Sequence, residues 1–310
     1  MRIAPCLLAA AVLALPTAAY ADDTDWSGIY AAVEAGGSSG RLQTSGSDSV
    51  VQLSNVFVAG RGIVIVPGTT VSSTASERQW NFVYGGVLGG QWQSGGLIFG
   101  LEGDVHGARE FASNATTAAI PTTILAPASS AIVSRSARMS YDWSLRARLG
   151  TALGDKAMIY ASGGLAGTRV RLTGQDSFTT PAGAAATGGG IPAFVSPAIG
   201  PVVLTASERR NLTGWTAGAG GEVKISSNIG FGIDGRYTNY GSHDFALASG
   251  CAGNTAIAGT CAGTSRTAPA IVINGTTLNP AADVTPAVIP GTTRANFSDF
   301  RVTARVVLHF

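Results

Sequence analysis

The chain has 310 residues, of which 42 are glycine and only 12% are charged, and its net charge is +2. That composition argues against a soluble enzyme and gives no electrostatic basis for a nucleic-acid partner. The mean hydropathy of +0.25 suits a membrane, yet long uncharged stretches such as 179–207 are broken by glycine and proline, which excludes helical spans. A closed β-barrel is the remaining way to satisfy backbone hydrogen bonds inside a bilayer.

Residues 1–21 read as a signal peptide. Arg2 supplies the positive start, 7–15 is an apolar run too short to span, and Ala19-Tyr20-Ala21 is a small-x-small cleavage site. The expected mature domain is 22–310, and Cys6 leaves with the leader. Transmembrane strands then appear as segments of roughly ten residues that alternate apolar and polar side chains, because lipid and lumen lie on opposite faces.

Segments 26–36 and 79–92 are rich in glycine and alanine but place Glu34 and Gln91 on the polar parity. Segment three sets Leu97, Phe99, Leu101 and Val105 against Glu102, Asp104 and His106. Segment four sets Tyr141, Trp143, Leu145, Ala147 and Leu149 against Asp142, Ser144, Arg146 and Arg148. Segments 157–170 and 211–224 are again small-residue strands, the second carrying Glu222 and Lys224. In segment seven Ile229, Phe231, Ile233 and Tyr237 oppose Asp234 and Arg236; in segment eight Phe300, Val302, Ala304, Val306, Leu308 and Phe310 oppose Asp299, Arg301, Arg305 and His309.

Short connections at 93–96, 154–156 and 226–228 alternate with long ones at 37–77, 107–139, 171–210 and 239–296. This is the asymmetry of an outer-membrane barrel, with short periplasmic turns and longer outward loops. The fold class is therefore all-β: an eight-stranded antiparallel transmembrane barrel with long extracellular loops and both chain ends on the periplasmic side. Apolar islands at 62–67, 119–125, 202–204 and 287–290 fit either strand extensions above the membrane or flexible low-complexity sequence. Cys251 and Cys261 lie in the last long connection, and export to an oxidising compartment predicts a disulfide between them.

An eight-stranded barrel is only wide enough for its own side chains, so inward charges must pair. Glu34, Glu102, Asp104, Asp142, Glu222, Asp234 and Asp299 are expected to meet Arg146, Arg148, Lys224, Arg236, Arg301 and Arg305 in a plugged lumen, the alternative being a narrow diffusion channel. His106, with Glu102 and Asp104 on its face, is the one candidate for catalysis; a hydrogen-bonded spectator is the favoured reading. The runs of glycine lack the following helix that phosphate binding requires, and His and Cys are too dispersed for a metal. No catalytic, cofactor or metal site is expected. Trp26, Trp92, Tyr141, Trp143, Tyr237, Tyr240 and Phe310 sit near strand ends and suit interfacial girdles.

The opening Trp26-Ser27-Gly28-Ile29-Tyr30, the runs 96–104, 142–150 and 214–220, and the terminal Phe310 resemble the outer-membrane immunogenic, "porin family" OmpA-like β-barrel proteins of alphaproteobacteria. The resemblance covers the strands of nearly the whole mature chain but not its loops, which are longer and more apolar. It implies an eight-stranded barrel in the outer membrane of a Gram-negative bacterium, with Phe310 read by the barrel-insertion machinery. It further implies a structural, envelope-integrity or surface-interaction role, with outer-membrane lipid and a surface molecule met by the loops as the expected partners. The sequence stops at Phe310, and no periplasmic peptidoglycan-binding domain is expected after it.

Overall fold

The computed structural model describes residues 25–51, 56–57, 63–64, 69–120, 129–180, 199–247, 271–273, 276–278, 287–289 and 292–310. The expected signal peptide at 1–21 and the expected disulfide between Cys251 and Cys261 lie outside them. The long strands are β1 (Gly28–Val51), β2 (Thr69–Ser94), β3 (Leu97–His106), β4 (Arg109–Ile120), β5 (Ser129–Leu153), β6 (Ala157–Thr180), β7 (Ile199–Lys224), β8 (Ile229–Ala246) and β9 (Thr292–His309). Among the described residues there is no helix.

Every long-strand pairing is antiparallel, and the order β1-β2-β3-β5-β6-β7-β8-β9 closes where β9 pairs β1, from Tyr30 opposite His309 to Gly46 opposite Thr293. β4 prolongs the stave begun by β3, since both pair β5. Closure leaves no unpaired edge in the membrane, which a bilayer would punish at several kcal/mol per orphaned group. Positive φ at Gly95 and Gly154 makes two of the short turns possible.

Alternation does the sorting. On β5, Leu145 is 55% exposed while its neighbour Arg146 is fully buried, and the pattern repeats on every stave. Outside lies an apolar band bounded by Trp92 at the turn end and by Trp80, Trp143, Trp215 and Tyr237 toward the loops. Several inward glycines have a reason of their own: a Cβ at Gly89 would sit 2.4 Å from the Tyr30 hydroxyl, and one at Gly220 would sit 2.4 Å from that of Tyr160. The narrow lumen holds two tyrosines because the wall opposite each has no side chain.

A membrane strand needs about ten residues, whereas β1, β2, β5, β6 and β7 run to 24–26. Much of what reads as loop in the sequence is thus strand, including 37–51 of β1, 202–204 of β7, and Ala287–Ile289, which adds to β1. Near one level, just beyond the aromatic band, the ladders slip: at 107–108, between Glu110 and Ala112, between Met139 and Asp142, and between Asn239 and Gly241. Bulges of this kind are common at barrel rims.

Beyond the slips the ring divides. β7 and β8 pair no further than Trp215 opposite Asn239, and β2 and β3 no further than Gly85 opposite His106. The upper staves therefore form two four-stranded sheets, β4-β5-β6-β7 and β8-β9-β1-β2. One side-chain hydrogen bond spans each gap: Asn81 donates to the Glu110 carbonyl at 2.5 Å, and Arg210 donates to the Asp244 carbonyl. Between the sheets pack Leu42, Phe111, Met139, Val170, Leu172, Leu212, Tyr240, Phe245, Leu247 and Phe297.

Two girdle assignments are corrected by this arrangement. Tyr240 is 2% exposed inside the apolar layer, because it continues the inward parity of Asp234, Arg236 and Thr238. Trp26 is 1% exposed at the turn end of the lumen, with Lys224 Nζ 4.8 Å from its ring and His309 edge-on at 5.8 Å.

Candidate functional site

The lumen is the only place in the described residues where many polar side chains converge. Eight staves each send alternate residues inward, so the inward charges stack in layers along the barrel. At the turn end Lys224 donates to the Asp25 carbonyl at 2.6 Å, His309 Nε2 lies 2.6 Å from Glu222 Oε1, and the Trp26 amide donates to Gln93 at 2.9 Å. Outside the membrane, the Ser27 amide donates to Asp25 and holds that carboxyl below its ordinary range.

In the middle layer Glu102 is the hub. It accepts from Tyr30 at 2.9 Å, pairs with Arg305 at 3.3 Å and contacts Arg146 closely. Arg146 and Arg305 both reach Asp234, at 3.1 and 3.4 Å. Arg148 donates to Tyr30 at 2.6 Å and stacks 3.7 Å over the Tyr160 ring, whose hydroxyl donates to Asp234 at 3.0 Å.

One layer higher, Glu34 bridges Arg305 and Arg236, each at 3.0 Å, and meets His106 Nε2 at 2.5 Å. Arg236 also holds Asp104 at 2.7 Å, and Ser144 donates to the same carboxylate at 2.5 Å. At the top, Asp142 and Asp299 are shared by Arg301, at 2.7 and 3.2 Å, and Arg109, at 2.8 and 2.9 Å. Above that layer the apolar cluster begins.

All thirteen charged residues placed in the lumen by alternation face inward and are buried. Alternation missed Arg109, which the slip at 107–108 throws out of phase. It also missed Tyr30 and Tyr160, whose hydroxyls tie the charges together, and the entire apolar layer. Counting Arg109, seven carboxylates face six arginines and a lysine in the membrane section, so that section is close to neutral without counterions; Arg135 is a further buried arginine, in the upper layer, where it donates to Thr293.

His106 is fully enclosed by Glu34, Asp104 and Arg236, and Ser144 bonds Asp104 rather than the imidazole. No nucleophile–base pair open to a substrate arises there. Among the described residues no cluster of His, Cys, Asp or Glu has metal-binding geometry. Phe310, half-buried, closes the last rung by donating its amide to the Ile29 carbonyl at 2.9 Å.

The 31 kDa outer-membrane immunogenic protein of Brucella melitensis is 26% identical over 230 residues, covering 74% of this chain and 77% of that protein. The 25 kDa outer-membrane immunogenic protein of Brucella abortus is 30% identical over 112 residues, 36% of this chain and 38% of that one. Among solved structures, Neisserial surface protein A aligns over 92% of this chain and 98% of its own at 10% identity, with a TM-score of 0.29. The model of the outer membrane protein beta-barrel domain matches residues 7–259, and the chain accordingly belongs to that family of Gram-negative outer-membrane β-barrel proteins.

Proposed function

We propose that this protein is a closed structural barrel of the outer membrane, whose sheet extension and loops face outward and serve envelope integrity or surface interaction, without enzymatic activity. Two layers inside the barrel support this reading. A mutually neutralised ion-pair network fills the membrane section, and an aromatic layer, in which Phe297 packs on Phe111 at 5.5 Å and on Phe245 at 5.9 Å, lies above it. An ion crossing this interior would have to break paired charges and then traverse apolar side chains, each step costly. The outward direction follows from the short turns at one end and long connections at the other.

The second reading is a narrow diffusion channel. It is favoured by buried polar atoms without hydrogen-bond partners, including Arg301 Nη1 and Arg109 Nε, which internal water would satisfy. Planar-bilayer recording separates the two readings. The closed barrel is expected to give no reproducible single-channel steps across ±100 mV, whereas uniform steps that change in Glu102→Gln would establish the channel. Protease treatment of intact cells tests orientation, and cleavage confined to long connections is the expected result.

A further inference from the structure

The outer wall of the β5-β6-β7 sheet carries an uncommon arrangement of charge. Arg138 lies directly opposite Arg171, and Arg171 lies directly opposite Arg209. All three side chains are exposed and point away from the barrel axis. Arg169, also exposed, lies two residues below Arg171 on the same face. The one acidic side chain in the row is Glu110, opposite Arg138, and none of the three arginines has an ion pair within 4 Å among the described residues.

Directly opposed residues on antiparallel strands hold their Cβ atoms about 5 Å apart, and like charges so placed destabilise the pair. Three guanidinium groups abreast are therefore a standing cost in the isolated protein, and an anion seated across the row would offset it. The height of the row identifies that anion. Trp143, Gly167 and Thr213 form a rung at the loop-side edge of the apolar band, and Arg171 and Arg209 are each four residues beyond it. Four residues of strand rise roughly 13 Å, or about 10 Å along the bilayer normal at a 40° tilt. The polar zone of a bilayer leaflet is about 5–8 Å deep, so the Arg169 backbone, about 5 Å up, sits within it, and the row's backbone, about 10 Å up, sits a few ångströms above it, a gap that a long arginine side chain spans downward.

We propose that Arg138, Arg171 and Arg209, with Arg169 beneath, form a binding row for the phosphorylated head group of an outer-leaflet glycolipid. Guanidinium suits this task because its planar fork holds two phosphate oxygens at once and sheds hydration more readily than an ammonium. Three side chains spaced over about 10 Å engage one head group from more than one direction. The row lies on the outer wall just above the head groups, not at the loop tips, which sets this contact apart from any partner the loops recruit. The structural role of the barrel thereby gains a mechanism: the wall ties its neighbouring lipids electrostatically and reinforces the leaflet around it.

The test uses the processed full-length protein folded in phosphatidylcholine nanodiscs doped with bis-phosphorylated lipid A, and counts lipid A molecules retained per barrel by native mass spectrometry. The wild-type barrel is expected to retain lipid A with an affinity roughly tenfold above that of R138Q/R171Q/R209Q, and to lose it as salt is raised. Lys156→Gln, at a turn on the opposite end, is expected to change nothing. Heat-modifiable gel migration establishes that each variant is folded; should the triple variant fail it, R171Q alone is expected to lose about threefold. Equal retention by the folded arginine variants overturns the proposal, as does equal retention of dephosphorylated lipid A. Saturation of the row by inorganic pyrophosphate at the concentration that saturates it with lipid would overturn the lipid as ligand. The nanodisc reads head-group contact whichever way the barrel points in the cell, so this result stands apart from the protease test of orientation.

Discussion

Arg146→Met is expected to destabilise the folded barrel by about 3–5 kcal/mol, the cost of stranding buried charges when one partner is removed. Arg146 is fully buried and holds Glu102, Asp234 at 3.1 Å and Asp104 at 3.3 Å. Arg305 also reaches Glu102 and Asp234 but cannot neutralise both while it serves Glu34 at 3.0 Å. Adding Glu102→Gln to Arg146→Met should return part of the loss, because the stranded carboxylate is then gone. The two changes together should fall short of additivity by about 0.5–3 kcal/mol. Urea unfolding in lipid vesicles measures all three variants. A single-variant loss below about 1 kcal/mol would mean that the pairs are as well hydrated as surface ones, and would favour a water-filled lumen.

Phe297→Ala is expected to cost about 3–5 kcal/mol, the range for deleting a buried aromatic ring from a packed core. Its consequence should be local. Phe297 lies between the two upper sheets, in contact with Phe111 and Phe245, where the staves no longer form a closed ring and, among the described residues, the sheets are tied by a few side-chain hydrogen bonds, from Asn81, Arg210, Asn114 to Thr44 and Arg135 to Thr293. The extension should loosen while the membrane ring, continuously hydrogen-bonded and ion-paired, stays folded. Limited proteolysis of the folded protein is expected to add cuts within the strand segments 109–120 and 129–138, which the wild type resists, while leaving a heat-modifiable core. A digestion pattern identical to wild type would show that the apolar layer does not hold the sheets together.

The membrane section was legible because lipid and a crowded lumen impose opposite demands on neighbouring residues. Asp142 to Leu149 and Asp299 to Leu308 meet those demands at nearly every position. The upper sheets were not legible, for two physical reasons. Between their few large apolar residues these strands run through Ala, Ser, Thr and Gly, whose polarity contrast is too weak to mark inside from outside; Ala137 and Ala206 are core residues there, Ser134 and Thr205 are not.

The second reason is phase. Each slip near the rim resets the two-residue count, so that Phe111 and Ala112 both point inward and Ser140 and Tyr141 both point outward. Arg109 was lost to the first of these resets. Trp26 and Tyr240 lie inside for another reason, since parity and not proximity to a strand end sets which way a side chain faces. Tyr240 follows Asp234, Arg236 and Thr238 by steps of two, and that count alone places it inside. Arg138, Arg171 and Arg209 read singly as loop charges; their significance depends on cross-strand register, which no single segment encodes.

Spin labels placed one at a time from 299 to 307 on β9 test most directly that this barrel is sealed, with lipid on one face and a closed interior on the other. Val302 is 44% exposed and Thr303 is 1% exposed. Relaxation by membrane-soluble oxygen is expected to peak at 300, 302, 304 and 306, with labels at 301, 303 and 305 shielded from both oxygen and a water-soluble nickel chelate. Strong relaxation of the inward positions by the chelate would mean an open aqueous lumen and would contradict the account.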